Sequence, residues 1–244
     1  MRLSGTEPAF EAAARARALE ATGRDVIHLE LGEPDFDTPA HVSEAAVHAL
    51  LDEKMTHYPP ATGIAPLKLA LANDVKRWKG IDATPEQVVV TPGAKPIMFY
   101  AMLALINQGD EVIYPNPGFP IYESMARYVG GVPVPAPLRE ANDFRMDVAE
   151  VASLGTDQTR MIVINSPHNP TGSILTPDDQ RDIARIAIEH DLVVLADEIY
   201  GRLQYEGEPL SVAPLPGIAE RTITLDGLSK TFAMTGCRPG YGTV

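Results

Sequence analysis

Residues 161–200, MIVINSPHNPTGSILTPDDQRDIARIAIEHDLVVLADEIY, decide the fold because they contain a complete strand–helix–strand unit. The apolar runs 161–165 and 192–196 are nearly continuous rather than alternating, which is typical of strands buried on both faces. Between them, Thr176 supplies an N-cap, and a proline and two acidic residues follow it in the first turn of a helix predicted over 177–190. The segment therefore predicts two parallel strands joined by a helix.

The alternation of short apolar strands with helices continues on both sides of this unit. Further strands are predicted at 88–91, 111–114, 132–135 and 223–225, and the last residues, 238–244, resemble the start of another. Helices are predicted at 7–22, 40–52, 66–79, 95–107 and 120–129, with an extended stretch at 26–31. This pattern predicts an α/β fold with three layers, α/β/α, around a mostly parallel central sheet.

Composition excludes several classes of partner. The chain carries 20 basic and 33 acidic residues, and its net charge of -13 argues against nucleic acid or an anionic membrane surface. No apolar run is long enough to span a bilayer, and residues 1–7 lack the apolar stretch of a signal peptide. The single cysteine, Cys237, excludes an internal disulfide and fits a reducing cytoplasm. No CxxC pair or His/Cys cluster indicates a metal site.

Polar residues follow the predicted strands where each of them ends, and such strand ends carry the ligand sites of open α/β sheets. Lys230 can form a Schiff base with a carbonyl group, and Arg238 can clamp a phosphate. Together they suggest pyridoxal 5'-phosphate, a cofactor with an aldehyde and a phosphate. Asp197 could pair with its protonated ring nitrogen and Tyr200 could reach its phenolic oxygen. Each residue also has an ordinary interpretation, as a surface lysine or an Asp that caps a turn.

Six segments in order along the chain carry a family resemblance. They are LGEPDF (31–36), HYPPATG (57–63), TPGAK (91–95), NSPHNPTG (165–172), ADEIY (196–200) and SKTFAMTGCR (229–238). From about residue 26 onwards, the chain resembles the large-domain portion of a class I/II aminotransferase of the pyridoxal-phosphate fold type I. The resemblance implies an N-terminal arm and substrate loop over 1–40 and a cofactor-binding large domain over 41–244, incomplete at its C-terminus.

The resemblance also implies roles around the cofactor ring. Lys230 would hold the cofactor as a Schiff base and then move the proton at the substrate Cα. Asp197 would pair with the pyridine N–H, and Asn169 and Tyr200 would bond the ring's 3'-oxygen. Phe119 would stack on the ring.

Further roles concern the phosphate, the substrate and a second subunit. The groups implied to hold the phosphate are those of Gly93, Ala94, Lys95, Ser229 and Arg238. Tyr58 would reach the phosphate of the neighbouring subunit, which implies a homodimer with shared active sites. Gly32, together with Asn169, would lie by the substrate, where a side chain at residue 32 would collide with the substrate carboxylate.

Two departures from the family pattern stand out. Gly227 occupies a position where some relatives carry a serine, so one phosphate hydroxyl is missing. Cys237 replaces the tryptophan that usually precedes the arginine, and we expect it to be a small buried apolar residue. Relatives continue beyond the end of this chain, so the small domain and the arginine for the substrate carboxylate are expected to be missing from a truncated chain.

The main functional hypothesis is a cytoplasmic aminotransferase that moves an amino group between an L-amino acid and a 2-oxo acid. One alternative is a pyridoxal-phosphate lyase acting at Cβ on the same scaffold. Another is a truncated fragment that binds the cofactor but is inactive or weak on its own. A regulatory cofactor-binding domain is disfavoured, because residues 1–25 are too short for a DNA-binding module.

Overall fold

A seven-stranded sheet lies at the centre of the structure, a computed structural model that describes residues 8–208 and 210–244. Its strands in spatial order are β1 (Val88–Pro92), β7 (Pro239–Thr243), β6 (Thr222–Gly227), β5 (Val193–Asp197), β4 (Thr159–Asn165), β2 (Glu111–Asn116) and β3 (Val132–Pro137). Neighbouring strands are parallel except around β7, which is antiparallel to both β1 and β6. The predicted mostly parallel α/β sheet is confirmed.

The chain also forms α-helices, several of which cover the sheet. They are α1 (Pro8–Glu20), α2 (Ala40–Leu51), α3 (Ala65–Lys79), α4 (Lys95–Leu105), α5 (Ile121–Tyr128), α6 (Val148–Leu154), α7 (Pro177–Glu189) and α8 (Leu228–Thr231). All six predicted helices are present, although Glu7, at the start of the first, lies outside the described residues. The sequence did not predict α6 and α8, whose 7 and 4 residues are too few for a helical apolar period to stand out.

The sheet is buried on both faces, because successive residues of its central strands enter different cores. Ile162 and Ile164 of β4 pack in the core that α6 and α7 cover. Met161 and Val163 pack in the core that α4 and α5 cover. A strand alternates its side chains between the two faces of a sheet, so two apolar cores require an apolar residue at every position. The predicted three-layer arrangement is confirmed.

The extended stretch predicted at 26–31 belongs to no strand of the described sheet, and the side chains of Ile27 and Leu29 are 83% and 89% exposed. One expectation about a single residue is wrong. Cys237 is exposed rather than buried, because it lies in the turn between α8 and β7, away from the apolar cores.

Neither a membrane-spanning helix nor a metal cluster is found in the described part of the chain. No described helix is both long enough and apolar enough to cross a bilayer. The described residues also contain no group of three or more His, Cys, Asp or Glu side chains that could hold a metal ion.

Candidate active site

The antiparallel direction of β7 gathers the candidate residues at one edge of the sheet. Strands β1, β4, β5 and β6 end at this edge, and β7 begins there: Pro92 pairs with Pro239, and Gly227 pairs with Gly240. Arg238, which precedes β7, is thereby brought to the edge where Lys230 follows β6. The strand ends that the sequence singled out therefore converge.

Asp197, the last residue of β5, is a deeply buried carboxylate with an exposure of 3%. The hydroxyl of Tyr122 donates to its Oδ2 at 2.6 Å, and the backbone N–H of Ile199 donates to its Oδ1 at 3.3 Å. Burial raises the pKa of Asp197 to about 6, although the hydrogen bond from Tyr122 opposes the rise. Among the described residues, no lysine, arginine or histidine nitrogen lies within 4.0 Å of this carboxylate. Such a site favours a cationic ligand group.

The loop after β4 is tied to the loop after β5. The side chain of Asn165, the last residue of β4, donates to the backbone oxygen of Asp197 at 3.0 Å and accepts from the backbone N–H of Asn169 at 2.8 Å. The Asn169 amide in turn donates to the Tyr200 hydroxyl at 3.4 Å. Two predicted site residues thus meet, and Asn165 is the unpredicted residue that fixes both loops.

Lys230 lies in α8, directly after β6. Its ammonium group donates to the backbone oxygen of Gly32 and lies 5.9 Å from the centroid of the Tyr200 ring. The hydroxyl of Thr38 donates to the backbone oxygen of Ala233 at 2.5 Å, so the segment around Gly32 is fastened beside α8. The predicted neighbours Lys230, Gly32 and Tyr200 are therefore close together.

The surroundings of Lys230 shift its amine towards the neutral form. Burial lowers the pKa of Lys230, the negative charge of Glu33 opposes this, and the positive charges of Arg238 and Lys95 add to the lowering. A neutral amine is the form that attacks an aldehyde and accepts a proton.

Arg238 packs against the turn that leads into α4. Gly93 in this turn has a φ of +89°, and a Cβ there would run into the Nη2 atom of Arg238. The other guanidinium nitrogen, Nη1, donates to the backbone oxygen of Thr235 at 3.0 Å, while the Arg238 side chain stays exposed. With the first N–H groups of α4 and the nearby Lys95, this turn is suited to bind an anion.

Phe119 links the cationic turn to the buried carboxylate. The ammonium group of Lys95 lies 5.2 Å from the centroid of the Phe119 ring. The Tyr122 ring meets Phe119 edge to face at 5.9 Å, and its hydroxyl reaches Asp197. Tyr122 is a site residue that the sequence analysis missed, although it follows Phe119 by three residues, at the start of a helix.

The remaining predicted residues differ in their surroundings. Ser229 is buried between Gly227 and Lys230, whereas the Tyr58 side chain is fully exposed and packs against none of the residues above. At Gly227, a Cβ would lie 2.9 Å from Cδ1 of Ile199 and 3.1 Å from the backbone oxygen of Pro239. The narrow space at residue 227 is consistent with glycine in place of serine.

The donor set matches the groups of pyridoxal phosphate. Lys230 offers an amine for the aldehyde, and Asp197 offers a buried carboxylate that makes no ion pair within 4.0 Å among the described residues. Gly93, whose missing Cβ makes room for Arg238, belongs to an anion-binding turn suited to the phosphate.

Comparison with known proteins supports the same interpretation. The model of the family "Aminotransferase class I and II" matches residues 24–244. An aromatic-amino-acid aminotransferase 2 of Thermococcus litoralis is 44% identical over 88% of this chain, and an aspartate/prephenate aminotransferase of Thermus thermophilus is 42% identical over 98% of it. The solved structure of an aspartate aminotransferase from Thermus thermophilus with maleate covers 98% of this chain with a TM-score of 0.94 and 40% identity. The chain spans only 56% to 62% of the length of these relatives.

Proposed function

Because the chain belongs to the class I and II aminotransferase family, we propose that the whole protein transfers an amino group between an L-amino acid and a 2-oxo acid. Pyridoxal 5'-phosphate is the cofactor of this family. The observation that carries the proposal is the pairing of β5 with β6, which brings the buried carboxylate of Asp197 and the amine of Lys230 to neighbouring strand ends.

The residues that would hold the cofactor are already grouped. Lys230 would bind its aldehyde carbon, and Asp197 would bond to its protonated ring nitrogen. Asn169 and Tyr200 would bond to the ring's 3'-oxygen, and Phe119 would stack on the ring. The groups proposed for the phosphate are those of Gly93, Ala94, Lys95, Ser229 and Arg238.

When bound, the cofactor supplies an electron-poor ring that accepts the charge left behind when a proton leaves the substrate Cα. Lys230 would move that proton, and its lowered pKa shifts the amine towards the neutral form that can accept it. Asp197 keeps the ring nitrogen protonated, and Tyr122 holds the carboxylate at 2.6 Å in a fixed orientation. Gly32 leaves open space beside Lys230, which we propose for the substrate carboxylate.

The proposal extends to substrate class, assembly and compartment. The relatives' names include aromatic amino acids, aspartate and prephenate, so we propose only an L-amino acid and a 2-oxo acid as substrates.

We also propose a homodimer in which Tyr58 reaches the partner's phosphate site, and the full exposure of the Tyr58 side chain leaves it available for this contact. The single cysteine supports a cytoplasmic protein. We keep the division into an arm over 1–40 and a large domain over 41–244 as part of this proposal.

Isotope transfer tests the proposed reaction. The whole protein, loaded with pyridoxal phosphate, is incubated with ¹⁵N-labelled aspartate or phenylalanine and a panel of 2-oxo acids. We expect ¹⁵N in the new amino acid, detected by mass spectrometry, without equivalent release of ammonia. Transfer should fall by about 10³-fold or more in Lys230→Ala, because the group that moves the Cα proton is lost.

The matched control is Lys76→Ala, since the Lys76 side chain is 65% exposed and, within the described part of the chain, forms a surface ion pair with Asp82. It should transfer ¹⁵N like the unaltered protein. Release of pyruvate and labelled ammonia from ¹⁵N-labelled cysteine, a donor with a leaving group at Cβ, would instead indicate a lyase, and no turnover of any donor would contradict the proposed activity.

A further inference from the structure

A buried lysine outside the proposed cofactor contacts lies behind the carboxyl edge of the sheet. Lys79, the last residue of α3, has a side-chain exposure of 5%. Its ammonium group lies 2.9 Å from Oε2 of Glu198 and 2.7 Å from Oδ2 of Asp226, and both carboxylates are themselves buried. These two carboxylates and Lys79 form what we call the buried triad.

The buried triad joins the two strands that carry the site. Glu198 directly follows Asp197 at the end of β5, and its backbone N–H donates to the backbone oxygen of Leu225 in β6 at 3.0 Å. Asp226 lies in β6, four residues before Lys230, and accepts from the backbone N–H of Gly227 at 2.6 Å. Lys79 therefore holds both strand ends from behind, on the side of α3.

The two carboxylates of the triad also accept hydrogen bonds from hydroxyl groups. The hydroxyl of Ser211 donates to Oε1 of Glu198 at 2.7 Å, and the hydroxyl of Tyr241 donates to Oδ2 of Asp226 at 3.4 Å. Burial by itself disfavours the charged form of Lys79, but attraction to Asp226 and Glu198 outweighs it, so the pKa of Lys79 lies above its usual value. The lysine is thus a fixed positive charge shared by two carboxylates.

We propose that Lys79 is a positioning residue that, through Glu198 and Asp226, sets both the placement and the charge state of the Asp197 carboxylate. The inference rests on the proposed function, in which Asp197 pairs with the cofactor ring. It assigns to the end of α3 a part in the site although Lys79 touches none of the proposed cofactor contacts.

The charges around Asp197 act in opposite directions. Burial is the main cause that raises the pKa of Asp197, and the negative charge of Asp226 also raises this pKa. The hydrogen bonds from Tyr122 and the Ile199 N–H lower the pKa, as does the positive charge of Lys79. The ammonium of Lys79 thus stabilises the ionised form that a cationic ring nitrogen requires, while Asp226 works against it.

A titration of Asp197 itself tests this coupling. The whole protein is prepared without cofactor and with ¹³C at the aspartate carboxyl groups, and the Asp197 signal is identified by its loss in Asp197→Asn. We expect Lys79→Met to raise the pKa of Asp197 by about 1, because a nearby positive charge is removed. We expect Asp226→Asn to lower it, because Lys79 then acts with one neighbouring carboxylate instead of two. A merely structural role would not move the pKa in opposite directions.

Lys76→Met is the matched control, the same substitution on the same helix at an exposed ion pair, and it should leave the Asp197 titration unchanged. If Lys79→Met does not fold, because two buried carboxylates lose their cation, the double variant Lys79→Met/Asp226→Asn removes one charge of each sign and should show a higher Asp197 pKa than Asp226→Asn alone. Equal values in these two variants would overturn the proposal. An unchanged Asp197 pKa in Asp226→Asn, or shifts of the same sign in both single variants, would overturn the proposal. The titration needs neither cofactor nor substrate, so its outcome is independent of whether the protein transfers amino groups.

Discussion

At the scale of single residues, the loop after β4 contains a buried histidine beside the candidate site. His168 is 5% exposed and precedes Asn169. Its Nδ1 lies 2.8 Å from the hydroxyl of Thr171, whereas its Nε2 is buried without a hydrogen-bond partner among the described residues. Burial lowers the pKa of His168 to about 4, so the folded protein strongly prefers the neutral ring.

This preference predicts a pH-dependent stability. Because the folded-state pKa lies below the unfolded value of 6.5, the contribution of His168 is fully present above pH 6.5 and is lost as the pH falls towards 4. The contribution of His168 to the free energy of unfolding should fall by about 3 kcal/mol over this pH range. His168→Asn keeps a polar atom near Thr171 but cannot be charged. We therefore expect its free energy of unfolding, measured with denaturant, to fall less between pH 7 and pH 4 than that of the unaltered protein.

His190→Asn is the matched control, since His190 is exposed at the end of α7 and its substitution should leave the acid dependence unchanged. Equal acid dependence in His168→Asn and the unaltered protein would contradict the account of His168.

A candidate site residue could be predicted from sequence only where local sequence determines its position. Asp197 and Lys230 were predictable because each lies at or shortly after the end of an apolar strand, so its location at a sheet edge is a local property. Tyr122 was not, since its partner Asp197 is 75 residues away in sequence. Lys79 resembled any lysine at the end of an amphipathic helix, and only the packed fold shows that it is buried between two carboxylates.

At the scale of elements, α7 illustrates a structure determined by local signals. The Thr176 hydroxyl accepts from the backbone N–H of Asp179 at 3.1 Å, and the Asp179 carboxylate accepts from the backbone N–H of Thr176 at 2.8 Å. This reciprocal capping box was predicted in part, since Thr176 was identified as the N-cap from sequence. Substitution Thr176→Ala should lower the free energy of unfolding by about 1 kcal/mol.

Chemical denaturation measures this loss, and Thr56→Ala is the control, since the exposed Thr56 hydroxyl makes only a 3.4 Å hydrogen bond to Lys54. A loss in Thr176→Ala no larger than that in Thr56→Ala would show that the capping box does not stabilise α7.

Local sequence signals could not predict the direction of β7. Residues 238–244 were identified as a strand, but apolar periodicity does not tell whether a strand runs parallel or antiparallel to its neighbours. The answer depends on β1 and β6, between which β7 is inserted. It matters for function because the antiparallel direction brings Arg238 to the edge where Gly93 and Lys230 lie.

At the scale of the whole molecule, the segments before β1 expose an unusual amount of apolar surface. Large side chains that are at least half exposed there include Ile27, Leu29, Phe36, Val47, Leu50, Leu51, Met55 and Tyr58. Apolar side chains left exposed in number commonly indicate an interaction surface when they lie together. This observation supports the proposed homodimer, in which Tyr58 completes the partner's site.

Mixing two inactive variants tests the shared site. If Tyr58 acts in the neighbouring subunit, a dimer of one Lys230→Ala and one Tyr58→Ala subunit contains one site with both residues intact. We therefore expect mixed dimers to recover amino-transfer activity that neither variant shows alone, up to roughly half of the intact dimer's value. Dimers mixed from Lys230→Ala and Asp197→Asn serve as the control, because both residues belong to the same subunit's site and no recovery should occur. If activity recovers in neither mixture, Tyr58 acts in the site of its own subunit or in no site.

The proposed bond between the Lys230 amine and the aldehyde of pyridoxal phosphate can be trapped chemically at the carboxyl edge of the sheet. The protein is loaded with the cofactor, reduced with borohydride to make any lysine–cofactor bond permanent, digested and examined by mass spectrometry. We expect one stoichiometric phosphopyridoxyl group, located on the peptide that contains Lys230. A stoichiometric group on Lys79, Lys95 or any other lysine, or none at all, would contradict the proposed bond.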